Sequence, residues 1–74
     1  MKNPIKMIAS PSRAVEEYGY DAATGTLRIR FRGGKTYEYS GVPGHVFANF
    51  TGSGSHGTAF GQLVRGKYKG RRST

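Results

Sequence analysis

The chain has no cysteine, no long apolar run and only 4 acidic residues among 74. Without cysteine it can form neither a disulfide nor a thiolate metal site, which excludes disulfide-stapled secreted mini-proteins and zinc ribbons. No apolar stretch approaches the ~20 residues of a membrane span or forms the core of a signal peptide. We therefore expect a soluble cytoplasmic protein with no membrane partner.

Side chains suited to catalysis are equally scarce. The 2 histidines, His45 and His56, have neither metal-ligand spacing nor a carboxylate close by in sequence, so we expect both on the surface. With 4 carboxylates and no cysteine, no set of residues for nucleophilic or acid–base catalysis can be assembled. The sequence predicts a protein that is not an enzyme and has no cofactor or metal site.

The net charge of +8 is distributed unevenly. Up to residue 23 basic and acidic side chains balance, whereas from Thr24 onward Glu38 is the single acidic residue. The basic residues of that second part are Arg28, Arg30, Arg32, Lys35, Arg65, Lys67, Lys69, Arg71 and Arg72. Such clustering predicts RNA or another polyanion as partner, because phosphate neutralisation releases counterions. The alternative is a charge that only keeps the protein dispersed.

The strongest local pattern runs from Leu27 to Ser40. Leu27, Ile29 and Phe31 alternate with arginines, which is the period of a half-buried strand. Gly33-Gly34 can form a tight turn, and a second alternation follows it, so the stretch predicts a β-hairpin. Its arginines, Arg28, Arg30 and Arg32, should lie opposite the apolar residues with Lys35 beside them at the turn. They form either a phosphate-contacting ridge or an ordinary solvated face.

The turn chemistry allows two registers for this hairpin. With a two-residue loop, Tyr37 and Tyr39 would join the arginines on a surface able to stack unpaired bases. With a three-residue loop, both tyrosines would join the apolar face. We favour burial, because a chain with few large aliphatic residues needs its aromatic area in the core.

The rest of the chain predicts one small α+β domain. Val15 to Asp21 indicates an earlier strand, followed by a turn that ends at Gly25. Pro43 predicts the start of a first helix, and Ser55 can cap a second. Between the helices, residues 52–57 are interpreted as a plain loop, with anion binding by their backbone amides as the alternative. The buried helical residues should be Val46, Phe47, Phe50, Phe60, Leu63 and Val64.

We thus expect a three-stranded antiparallel β-meander packed against two short C-terminal helices, in the order β-β-β-α-α. Residues 1–11 would form an arm or an extra N-terminal edge strand, and residues 12–69 the domain itself. Residues 70–74 contain nothing to bury and are predicted to be a disordered basic tail.

Several segments taken in series resemble the KTSC domain, a small module named for the C-terminus of some lysyl-tRNA synthetases and otherwise found as short stand-alone proteins in bacteria and phages. The matching segments are Tyr18 to Asp21, Leu27 with Ile29 and Phe31, Gly34, Tyr37-x-Tyr39, Val42-Pro43, Phe47, Ser55 to Phe60, and Val64-Arg65-x-x-Tyr68. The resemblance covers about residues 12 to 68. Gly61 and Gly66 depart from the usual asparagine and acidic residue, and we expect both to loosen the second helix.

The resemblance implies a small α+β fold and an RNA-binding role, and it implies no catalytic activity. It also places Arg65 within a packed helix, in a structural role. The candidate nucleic-acid-binding residues are Arg28, Arg30, Arg32, Lys35, Tyr37, Tyr39, Arg65, Lys67, Lys69, Arg71 and Arg72. The competing hypotheses are a phage- or bacteria-encoded regulator that docks on an acidic surface of a host enzyme, and a structural module that dimerises through an open strand edge. The sequence does not fix the oligomeric state.

Overall fold

The computed structural model describes residues 5–73, so the ends of the predicted arm and tail, residues 1–4 and 74, lie outside it. Over this range the chain forms one antiparallel sheet of five strands and two helices. The strands are β1 Ile8–Ala9, β2 Val15–Asp21, β3 Thr26–Phe31, β4 Thr36–Tyr39 and β5 Gly70–Arg72, and the helices are α1 Gly44–Thr51 and α2 His56–Leu63. The α+β class is confirmed, but three strands were too few.

The β3–β4 hairpin adopts the three-residue loop. The amide of Phe31 donates to the carbonyl of Lys35 at 2.8 Å, and Gly33 and Gly34 have φ angles of 103° and 92°. Leu27 therefore lies opposite Tyr39 and Ile29 opposite Tyr37. Because opposite residues in a sheet point to the same side, both tyrosines share the face of the aliphatic residues. We call this the core face, and the other side of the sheet the outer face.

Local turn chemistry also sets the β2–β3 connection. The Asp21 carboxylate accepts a hydrogen bond from the amide of Ala23 at 3.0 Å, and Gly25 closes the turn with a φ of 69°. Within β2 the register with β3 shifts between Val15 and Glu17. This irregularity explains why the pair of glutamates interrupts the alternation of the strand.

Both helices cover the core face as predicted. Pro43 is the N-cap of α1, and the side chain of Ser55 caps α2 by accepting from the amide of Thr58. The hydrophobic core brings sheet and helices together through Val15, Leu27, Ile29, Tyr39, Val42, Val46, Phe50, Ala59, Phe60 and Val64. Each helix has 8 residues, far short of the ~20 that a membrane span needs. Gly66 lies beyond α2 with a φ of 77°, so it does not loosen that helix as expected.

Two further strands flank the predicted meander, and the first of them, β1, is the N-terminal edge strand given as an alternative to an arm. β1 pairs with β2, and β5 pairs with β4. The prediction of a tail without structure is wrong for residues 70–72, because pairing of backbone amides requires no apolar side chain. Gly70 faces the ring of Tyr39 so closely that a Cβ atom there would overlap it. The glycine therefore lets β5 cover a core tyrosine.

Candidate nucleic-acid interface

Arg28 lies on the outer face in an ion pair with Glu38. The Nε and Nη2 atoms of Arg28 donate to one carboxylate oxygen of Glu38 at 2.9 Å and 2.6 Å. Glu38 also faces Arg71 of β5 in the sheet register, so one carboxylate lies between two cations. The guanidinium of Arg28 is thus partly neutralised before any ligand arrives.

Arg30 is surrounded by the other glutamates. Its Nε lies 3.8 Å from a carboxylate oxygen of Glu16, and its Nη1 lies 3.7 Å from one of Glu17. These distances are too long for hydrogen bonds, so the guanidinium remains half-exposed between two negative charges. Three of the 4 acidic residues in the chain therefore offset the arginines of the predicted ridge.

Arg32 does not continue that ridge. β3 ends at Phe31, and Arg32 lies in the hairpin turn, where its Nη2 donates to the carbonyl of Ser12 at 3.3 Å. Lys35 is exposed at the other side of the same turn, immediately before β4. These two residues, which we call the turn cations, flank the end of the hairpin rather than its face.

The second basic group follows α2. Arg65, Lys67, Lys69 and Arg71 are all exposed, and we call them the basic band. The backbone oxygen of Lys69 accepts from the amide of Ser40 at 3.2 Å, which fixes the band beside the end of β4. Arg65 lies beyond the end of α2 at Leu63 and is exposed, so its implied placement inside a packed helix is wrong. Arg72 lies in β5 opposite Tyr37.

The two tyrosines of the hairpin belong to the core. Tyr39 is only 9% exposed and packs edge-on against Phe60 with ring centroids 5.4 Å apart. Tyr37 is half-buried and contacts the ring of Phe31 at 5.9 Å. Burial raises the pKa of Tyr39 above its ordinary value of 10.0, with Tyr37 adding to the rise and the charge of Arg65 opposing it. The register that offers both rings to bases is not adopted.

His56 is buried, contrary to the expectation of a surface histidine. Its Nδ1 lies 2.6 Å from the hydroxyl oxygen of Ser10, and its Nε2 lies 3.3 Å from the backbone oxygen of Thr51. Its ring stacks on Phe50 at 5.0 Å. The imidazole thus joins the N-terminal segment to both helices, and nothing in the local sequence signals such long-range partners. His45 is exposed, as expected.

The interhelical loop spans residues 52–55, because α2 already begins at His56, two residues before the predicted end of the loop. The Ser53 hydroxyl donates to the carbonyl of Phe50 at 2.8 Å, and the Ser55 side chain caps α2, so these hydroxyls are used by the backbone. In the part of the chain that the structure describes, no cluster of three or more histidine or acidic side chains is arranged to hold a metal ion.

The model of one known protein family, the KTSC domain, matches residues 11–68. This range includes the hairpin with Tyr37 and Tyr39 and the second helix with its Ser55 cap. The chain belongs to the KTSC domain family. The crystal structure of a KTSC domain protein from Yersinia pestis superimposes with a TM-score of 0.92 at 31% identity, covering 96% of this chain and 100% of that one.

Relatives of this KTSC domain are found among short proteins and within much longer enzymes. A protein from Tsukamurella paurometabola is 38% identical over 58 residues, which cover 78% of this chain and 87% of the relative. Lysine–tRNA ligases from Nostoc punctiforme and Trichormus variabilis are 34% and 36% identical over 55 residues, 74% of this chain. The match spans only 10% of the length of either ligase. The same module is therefore related to short proteins and to one region of much longer enzymes.

Proposed function

We propose that this KTSC domain is a noncatalytic RNA-binding module whose main contact surface is the basic band together with the turn cations. The observation that carries the proposal is the separation of charge. The net charge is +8, yet three of the 4 carboxylates lie beside Arg28 and Arg30. The positive excess consequently falls on the exposed band and turn. The proposal fits a protein of the cytoplasm, where RNA is available.

The relatives support the same class of partner. Two of them are lysine–tRNA ligases, enzymes whose names state that they act on tRNA, and the match covers one small region of each. A short basic module on such an enzyme can increase its affinity for RNA without taking part in the reaction. For this chain the same role requires no catalytic group.

The mechanism is electrostatic attachment. Each lysine or arginine that neutralises a phosphate releases condensed counterions, so the affinity falls steeply with added salt. With about five phosphate contacts, the affinity should fall roughly 10²–10³-fold between about 50 and 200 mM salt. Arg28 and Arg30 contribute less to the RNA affinity than the exposed cations do, because a phosphate bound there must compete with the glutamates.

Fluorescence anisotropy with a labelled tRNA tests the proposal. The band variant Lys67→Ser/Lys69→Ser should weaken binding and reduce the salt slope by nearly 2, about 0.9 for each lost contact. The control Lys6→Ser/Arg13→Ser removes the same charge from two exposed residues outside the band and turn, and should leave the slope unchanged. Absence of salt-sensitive binding, or equal losses in both variants, would rule the proposal out.

The second candidate is docking on an acidic protein surface, as a phage- or bacteria-encoded regulator would do. It is favoured by the edge position of β5, where Arg71 is exposed beside a sheet edge able to accept another strand. Capture from bacterial lysate with and without nuclease separates the two functions. A partner retained after nuclease treatment favours protein docking, whereas loss of all captured material favours RNA.

A further inference from the structure

The aromatic residues of this chain are all on the side of the sheet away from its charged face. There are 5 tyrosines, 4 phenylalanines and no tryptophan. Every one belongs to the hydrophobic core or packs against it, and none is exposed. They are Tyr18, Tyr20, Phe31, Tyr37, Tyr39, Phe47, Phe50, Phe60 and Tyr68.

Most of the half-buried members of this set have contacts with other rings, and Tyr68 packs against the core. Tyr20 stacks on Phe47 with centroids 4.5 Å apart, and its hydroxyl donates to the carbonyl of Val42 at 2.6 Å. Tyr18 has ring contacts with Phe47, Phe50 and His56. Proteins that bind single strands commonly stack successive bases on open aromatic faces, and each such stack is worth about 1–3 kcal/mol. Beside the basic band and the turn cations no aromatic side chain is fully exposed, and the nearest rings, Tyr37 and Tyr68, are half-buried.

Exposed cations instead lie at both ends of β4, with a partly neutralised centre between them where Glu38 faces Arg28 and Arg71. Lys35 precedes β4, and Lys69 is held beside Ser40 at its other end. At about 3.4 Å per residue, the five steps from residue 35 to residue 40 separate these ends by roughly 17 Å. Between them lies the Arg28–Glu38 ion pair. This arrangement suits two rows of phosphates on either side of a groove rather than one continuous strand.

We infer that the nucleic acid bound by this domain is double-stranded RNA, held by phosphates of both strands across the wide, shallow minor groove. The inference rests on the proposed function and specifies its substrate class. An A-form duplex is recognised by shape and by backbone contacts, which need cations at fixed positions and no stacking ring. The sheet edge and the hairpin turn supply those fixed positions.

Fluorescence anisotropy with three probes tests the substrate class. The probes are an RNA duplex, a single-stranded RNA without secondary structure, and a DNA duplex of the same sequence. All three have the same number of phosphates and are measured at one salt concentration. The RNA duplex should bind about tenfold more tightly than either of the others. Equal or tighter binding of the single strand overturns the inference while leaving RNA binding intact. Equal binding of the DNA duplex overturns recognition of the A-form. Failure of all three probes to bind removes the proposed function itself.

Two tyrosine variants give an independent readout. Tyr37→Leu and Tyr68→Leu remove the half-buried rings nearest to β5 and the basic band, and both should leave duplex affinity unchanged within about twofold if no base stacks on them. Because either change can weaken the core, Tyr37→Phe and Tyr68→Phe are compared in parallel. A loss of affinity in the folded leucine variants that phenylalanine restores would show that a base stacks there and would overturn the inference.

Discussion

Gly19 marks the place where the N-terminal segment crosses the outer face of the sheet. A Cβ atom at this position would lie 2.5 Å from Cγ2 of Ile5 and 2.6 Å from the backbone oxygen of Lys6. Such distances require something to shift, so glycine is needed for the close approach rather than for a turn. Residues 5–7 are therefore part of the packed structure.

Replacing Gly19 with alanine tests this contact. Gly19→Ala should lower the free energy of unfolding by about 1–3 kcal/mol, because the added methyl group displaces the segment over β2. The matched control is Gly61→Ala in α2, where an added Cβ meets nothing within 4 Å. The control should raise stability by about 0.5–1 kcal/mol through better helix propensity. Urea denaturation measures both, and a neutral Gly19→Ala would mean that residues 5–7 do not pack on the sheet.

Tyr39 should make the stability of the folded protein depend on pH in the alkaline range. Burial raises the pKa of its phenol in the folded protein above 10.0, the value expected in the unfolded chain. Between these two values the unfolded state has lost the proton and the folded state has kept it, so the free energy of unfolding falls as pH rises. Below about pH 10 the contribution of Tyr39 is constant. Denaturation curves at increasing pH should show the decline in the wild type and a shallower one in Tyr39→Phe. Equal slopes would contradict the assignment.

His56 shows what a residue-by-residue interpretation misses. Its partners Ser10 and Thr51 are separated from it by 46 and 5 positions, and its exposure is 8%. A histidine without neighbouring carboxylates looks like a surface residue, because only the folded chain brings the hydroxyl and the carbonyl to its two nitrogens. The N-cap one position earlier was predictable, since Ser55 acts on an amide three residues away.

At the scale of elements, the β3–β4 hairpin was predicted from the sequence, whereas β5 was missed. Alternation and Gly33-Gly34 identified the hairpin, but alternation alone fits both registers, and burial of Tyr39 decided between them. β5 has no apolar side chain and no alternation to detect. Its signal is the unpaired edge of β4, which is a property of the assembled sheet.

Removing residues 70–74 tests whether β5 is structural. The truncation should lower the free energy of unfolding by about 2 kcal/mol, because it uncovers part of the Tyr39 ring and the edge of β4. The comparison is Lys69→Thr/Arg71→Thr, which keeps the backbone and removes two exposed charges. This variant should retain stability and lose RNA affinity. A truncation as stable as the wild type would show that residues 70–72 behave as a tail in solution.

Both edges of the sheet bear on the third hypothesis, self-association through an open strand. β1 contains only 2 residues, and β5 has the sequence Gly-Arg-Arg. Short strands and strands with exposed cations are devices that oppose edge-to-edge pairing. Two copies joined at β5 would bring Arg71 of each close together. The edge is thus better suited to an anionic partner than to a second copy of the chain.

For the whole molecule, the large features followed from composition and pattern, whereas the position of the proposed binding surface did not. A net charge of +8 predicted a polyanionic partner, and the alternating arginines pointed to the β3 face. The folded chain places three glutamates there and leaves the excess on the band and turn. Pairing between Arg28 and Glu38 depends on register, and pairing of Arg30 with Glu16 and Glu17 depends on the next strand. Sequence alone fixes neither.

The same charge excess should give stability and binding opposite responses to salt. The molecule measures only 33 × 25 × 21 Å, so its exposed cations repel one another at about 0.01 M ionic strength, where the Debye length is ~30 Å, and much less at about 0.1 M, where it is ~10 Å. Added salt screens their repulsion in the folded state, and the midpoint temperature of unfolding should therefore rise by a few degrees between about 20 and 200 mM salt. The half-buried Arg28–Glu38 pair is screened less and opposes this trend only weakly.

Calorimetry across this salt range, with and without an RNA duplex, measures both responses. Without RNA, the midpoint should rise with salt, and the rise should be smaller in Lys67→Ser/Lys69→Ser because two of the repelling charges are gone. With RNA, the extra stabilisation should be largest at low salt and vanish as binding is lost. A midpoint that falls with salt in the free protein would mean that the outer-face ion pairs outweigh the repulsion. The band would then affect binding alone.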